Sequence, residues 1–100
     1  MTSKEIAYAA LKEIYSTCDT ALGYWSWQAK AEYIMNDMLH MARDNNKSCT
    51  AVVKEVMKAT GTGRTNELLG MAAGTVLSDW NYYGWLKAAE SREYKKLIAD

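Results

Sequence analysis

The stretch SWQAKAEYIMNDMLHMARD, residues 26–44, constrains the fold more than any other part of the chain. Set at about 100° per residue, Trp27, Ala31, Ile34, Met35, Met38, Leu39, Met41 and Ala42 share one broad apolar face. Lys30, Tyr33, Asn36, Asp37, His40 and Asp44 occupy the other. A face that wide has to be covered from more than one side. The stretch therefore predicts a central helix with the remaining segments packed around it. The fold class expected is all-α, a compact bundle of four to five helices forming a single domain over residues 1–100. A chain of this length buries roughly two-thirds of its unfolded surface, enough for one core without metal or disulfide staples. A hydrophobic fraction of 49% argues against disorder. Proline is absent, so no ring interrupts a helix.

The flanking segments carry their own helix signals. Thr2 and Glu5 form a capping-box pattern that opens a first helix from about Ser3 to Leu22. Its stripe is Ala7, Ala10, Leu11, Ile14 and Cys18, and Gly23 is its expected stop. Tyr24 and Trp25 read as a short connection, with Ser26 capping the central helix. Ser48 caps a third helix over 49–60, with Cys49, Val52, Val53, Val56, Met57 and Thr60 aligned inward. After the glycine turn at 61–63, Thr65 or Asn66 caps a fourth helix whose inner side is Leu68, Leu69, Ala72, Ala73, Val76 and Trp80. Gly70 and Gly74 stand in GxxxG spacing, continued by Ser78. They predict either a helix weakened near Gly74 or a flat groove where another helix approaches closely. A break near Ser78 is expected, and a fifth helix over about 82–98 with Leu86, Ala89, Tyr94 and Leu97 as a weak stripe interrupted by Glu90 and Glu93.

Charge excludes some functions. There are 12 basic and 12 acidic residues, and the signs are mixed along the whole chain. No segment forms the basic stripe that a phosphate backbone requires. The third and fourth helices, residues 52–77, have a helix-turn-helix outline, with Ala59, Gly63, Leu69 and Ala72 at suitable spacings. Thr62 and Arg64, however, stand where that motif buries an apolar side chain, and the reading helix carries Glu67 and Asp79. Arg64, Thr65 and Asn66 remain the candidate contacts for an anion or a nucleic acid at a helix start, with a connecting turn as the simpler reading. A nucleic-acid-binding regulator is the second functional reading.

Catalysis comes third. His40 shares a helix face with Tyr33, Asn36 and Asp37, a grouping that could hold a general base, although a solvated face is the plainer account. One histidine and two cysteines do not make a zinc site, and no cofactor or metal is expected. Cys18 and Cys49 read as reduced, buried thiols, and the N-terminus lacks a signal-peptide pattern, so a cytoplasmic protein without a membrane partner is expected.

The positive signal is aromatic. Phenylalanine is absent, but there are 4 Trp and 7 Tyr, so every ring carries a polar handle. Seven of these 11 fall in two short stretches, 24–27 and 80–85. Consecutive rings on a helix cannot all face one core. If Trp27 and Trp80 point inward, then Tyr24, Trp25, Tyr82, Tyr83 and Trp85 are candidates for a protein-binding surface. The expected function is a non-catalytic binding module, a stoichiometric inhibitor or adaptor acting on a larger protein complex. A phage- or plasmid-encoded inhibitor of a host defence system is one such type, and a homodimer burying the patch is another outcome.

Overall fold

The computed structural model describes residues 1–18 and 24–98, with the side chains of Tyr24, Trp25 and Ile98 left out. The described residues form five helices: α1 (Ser3–Thr17), α2 (Tyr24–Asp44), α3 (Cys49–Thr60), α4 (Arg64–Tyr82) and α5 (Ala88–Ile98). The fold is a small all-α bundle. No helix among the described residues is long and apolar enough to cross a membrane.

Local chemistry sets most of the helix ends. The Thr2 hydroxyl accepts from the Glu5 amide, and the Glu5 carboxylate accepts from the Thr2 amide, so the capping box is complete. Those hydrogen bonds, with the Thr2 amide first among them, hold the Glu5 carboxyl below the ordinary range. Cys18 is in extended conformation and ends α1 at Thr17, well short of Leu22; the expected stop at Gly23 lies outside the described residues. The central helix begins at Tyr24, so Ser26 lies inside its first turn and is not its cap. Its other end closes as a Schellman motif. Asn46 takes φ 56°, the Lys47 amide donates to the Ala42 carbonyl at 2.8 Å, and the Asn46 amide donates to the Arg43 carbonyl at 3.1 Å. Ser48 caps α3 through the Ala51 amide.

The core follows the helical periodicity closely. Ile6, Ile14, Met35, Leu39, Leu69 and Leu77 are among the largest fully buried side chains, with Val52, Val53 and Val56 beside them. Three valines in one short helix are tolerated because packing on several sides outweighs their modest cost in helix propensity. The longest helix, α2, lies against α1, α3 and α4, and the shorter α3 touches all four other helices. Six expected stripe positions differ. Met41, at the edge of the α2 face, and Ala89 are exposed, and Met57, Thr60, Leu68 and Leu97 are half-buried.

The larger corrections concern α4 and α5. The fourth helix runs unbroken through Gly70, Gly74 and Ser78 as far as Tyr82. Its N-cap is Gly63, without a side-chain cap, and not Thr65 or Asn66. The Asn66 amide instead donates back to the Met57 carbonyl and the Thr60 hydroxyl, joining the start of α4 to the end of α3. The absent Cβ of Gly70 gives space to Met57, whose Cε would stand 3.2 Å from it. What comes close to Gly70 is therefore a side chain.

Helix α5 starts at Ala88, not near residue 82. Its two glutamates do not interrupt the packed face; Glu90 is buried within it beside Tyr94, and Glu93 bonds to α3 from its edge. Glu90 is only 4% exposed. One of its oxygens accepts from the Cys49 amide at 2.5 Å, at the start of α3. The other accepts from the Lys87 amide at 2.9 Å, at the start of α5, and from Arg43 Nη2 at 3.1 Å, at the end of α2. Glu93 accepts from the buried Thr50 hydroxyl at 2.8 Å and pairs with Lys54. Burial pushes the Glu90 carboxyl up, but the two amides and the guanidinium together outweigh it and hold the group below the ordinary glutamate value.

A carboxyl depressed on folding contributes stability that is complete above its unfolded pKa of about 4.3 and is lost as pH falls through the lower folded value. Glu90→Gln sets an amide donor against three donors, and it should cost about 3 kcal/mol at neutral pH. Urea unfolding should show the gap between wild type and Glu90→Gln narrowing once the pH drops below about 4. A gap independent of pH would contradict this assignment.

Candidate functional site

The end of α4 builds an aromatic ledge. Gly84 adopts φ 75°. The Gly84 amide donates to the Asn81 carbonyl at 3.1 Å, and the Trp85 amide donates to the Trp80 carbonyl at 2.8 Å. This is a second Schellman motif, and the side-chain contact that often accompanies it is present: Trp85 meets Trp80 edge-to-face, centroids 5.5 Å apart. Trp80 is buried, with its indole N–H donating to Asn36 Oδ1 at 2.8 Å. The C-cap turn thus carries the chain from a buried tryptophan to an exposed one within five residues.

From that anchor the rings continue outward. Tyr83 stacks on Trp85 at 5.2 Å with an interplanar angle of 27°, and Tyr82 meets Tyr83 edge-to-face at 5.2 Å. Tyr82, Tyr83 and Trp85 are 83%, 63% and 52% exposed. Arg43, already paired with Glu90, donates to the Trp85 carbonyl at 2.5 Å and fixes the turn to the end of α2. The neighbouring Asn81 is tied into α5 through Ser91 and the Tyr94 hydroxyl. Large, mutually supported rings on a hydrogen-bonded turn offer contact area at little further ordering cost.

The other sequence candidates are distributed differently. The side chains of Tyr24 and Trp25 lie outside the described residues, and Trp27 is buried. Arg64 pairs with Glu67 at 3.4 Å, Thr65 is exposed, and the Asn66 amide group is committed to α3. His40 is not on a purely solvated face. Its ring packs edge-on against Trp80 at 4.9 Å and lies 6.5 Å from Trp85, so it belongs to the base of the ledge. The Asn36 Oδ1 beside it serves the Trp80 indole. Both cysteines are free and buried. Burial, and then the charge of Glu90, push the Cys49 thiol up to about 12, and burial also raises that of Cys18. Both therefore stay protonated at neutral pH, the opposite of an activated nucleophile.

Sequence reasoning located the three ledge rings but missed what holds them. Gly84 was the available signal, because a glycine directly after a helical aromatic run marks a left-handed C-terminal stop. The roles of Arg43, Glu90 and His40 join residues more than 40 positions apart and left no local pattern. Comparison with protein-family models, curated proteins and solved structures gives no match.

Adding a Cβ at Gly84 meets no atom within 4 Å, so only backbone strain opposes it. Gly84→Ala should therefore destabilise the chain by about 1 kcal/mol, and Gly84→Asn by less, since asparagine visits the left-handed region more readily. Thermal unfolding followed by circular dichroism checks this, and equal effects of the two variants would argue against strain as the cause.

Proposed function

We propose that this chain works by stoichiometric binding to a larger protein, as an inhibitor or adaptor, without catalysis or a cofactor, and that Tyr82, Tyr83 and Trp85 are its anchor. The observation that carries the reading is the exposure of three contiguous aromatic rings on a turn already fixed by Arg43, Glu90 and Trp80. Tyrosine and tryptophan dominate binding hot spots because they combine large area, few rotatable bonds and a polar tip. A turn that keeps its shape loses little entropy on docking. Protonated thiols at Cys18 and Cys49, and a His40 packed on tryptophan, add support for binding over chemistry. Two free cysteines also fit a reducing compartment, and we place the action in the cytoplasm on that ground.

Tyr82 is the cleanest probe, being the most exposed of the three and meeting Tyr83 alone among the described rings. Tyr82→Ala should leave the helical circular dichroism and melting temperature nearly unchanged. A hot-spot side chain is worth roughly 2 kcal/mol, so affinity for a partner captured from nuclease-treated host lysate should fall about thirtyfold. Trp85→Ala should weaken binding at least as much, with some loss of stability from its contact with Trp80. Partner affinity unchanged in both variants would overturn the assignment of the ledge.

A further inference from the structure

A second surface runs along the opposite stretch of α4. A cleft of about 1090 Å³ lies between α4, the end of α3 and Leu97 of α5. Gly70, Gly74 and Ser78 line it from α4, and Val53 and Met57 line it from α3. From Asn66 to Asp79 the cleft follows α4 for about 20 Å at 1.5 Å per residue, enough for several turns of another helix.

Its two ends carry opposite charge. At the end where α3 meets α4 stands Lys58, exposed and without an ion pair among the described residues; the nearby Glu67 is paired with Arg64. At the far end stands Asp79, in the last turn of α4, where the helix dipole disfavours a negative charge. Asp79 also borders a smaller cavity of about 300 Å³ with Glu32. Neither carboxylate has a cationic partner among the described residues. Burial first, and the charge of Asp79 second, raise the Glu32 carboxyl above the ordinary range.

We infer that a second copy of this chain docks in the cleft, antiparallel across a two-fold axis, with Lys58 of each copy beside Asp79 of the other. An antiparallel copy reverses the charge order of the cleft, so one set of residues satisfies both ends twice. It also sets the two α4 dipoles in opposite directions. A helix from an unrelated protein would need its own matching charges, whereas this chain supplies them. Ion pairs between exposed side chains contribute little, so the association is weak and concentration-dependent.

Sedimentation equilibrium on the full chain, from micromolar to near-millimolar concentration, should show a shift from one chain to two. Lys58→Asp and Asp79→Lys each place like charges together at both ends, and each should weaken the dimer by about tenfold or more. Both positions are exposed, so the circular dichroism should not change. Mixed in equal amounts, the two variants should associate as the wild type does, because each supplies what the other lacks. A wild-type chain that stays monomeric throughout overturns the inference and leaves the cleft to another occupant. So does a dimer that ignores both charge variants but is lost in Tyr82→Ala, which would move self-contact to the ledge. Retained partner binding in a Lys58→Asp monomer separates this surface from the ledge.

Discussion

One buried carboxylate joins three of the five described helices at their ends. Glu90 accepts from the first amide of α3, from the amide that precedes α5, and from the arginine in the last turn of α2. Two helix starts thus share one negative charge, the sign their dipoles favour, and the end of α2 meets it through the arginine that its own dipole favours. A negative charge so nearly excluded from water is tolerable because both oxygens accept from fixed donors, one of them cationic. The consequence reaches the surface. Arg43, held by Glu90, is the group that fixes the carbonyl of Trp85, so the internal ion pair and the aromatic ledge form one connected unit. A glutamate pair, Glu90 on the Cys49 amide and Glu93 on Thr50, joins Tyr94 and Leu97 in docking α5 on the bundle.

This arrangement explains where the sequence was legible. Helices α1 to α3 announce themselves through a period of 3.6, a capping box and a serine cap, all of which act within a few residues. The apolar stripe of α2 reads correctly except at Met41, on its edge. The sequence misled where a residue's role depends on distant partners. Glu90 looks like a polar interruption until Cys49 and Arg43 are brought to it from more than 40 positions away. Gly70 and Gly74 look like weakness, but α4 runs through them, and at Gly70 the missing Cβ leaves space for Met57. Asn66 looks like a cap for its own helix and instead satisfies the carbonyl end of the previous one.

The same reasoning accounts for the ledge. With no phenylalanine in the chain, every ring has a polar atom to place, and burial of Trp80 is made tolerable by Asn36. Trp85, Tyr83 and Tyr82 are exposed and support one another through stacked and edge-to-face contacts. Exposure of three large rings on a small domain has an aggregation cost, which natural surfaces accept mainly where a partner covers the patch. The left-handed Gly84 makes that exposure specific, because it turns the chain back so that Trp85 covers Trp80 and faces outward at once.

The ledge and the cleft lie on one helix, and that fixes how they could act together. α4 is continuous through its glycines, so the ledge at its C-terminal end and the cleft along its side keep a constant relation. In the antiparallel pair inferred above, the two ledges stand at opposite ends of the paired helices, about 30 Å apart along the axis by helix rise. A partner with two equivalent docking positions at that spacing would gain from the second contact without any new chemistry, since the second event is intramolecular. A partner with a single position would gain nothing, and a weak dimer would then simply dissociate at low concentration. With the two-position partner, charges at Lys58 and Asp79 would tune valency, while the affinity of each contact stays with the rings.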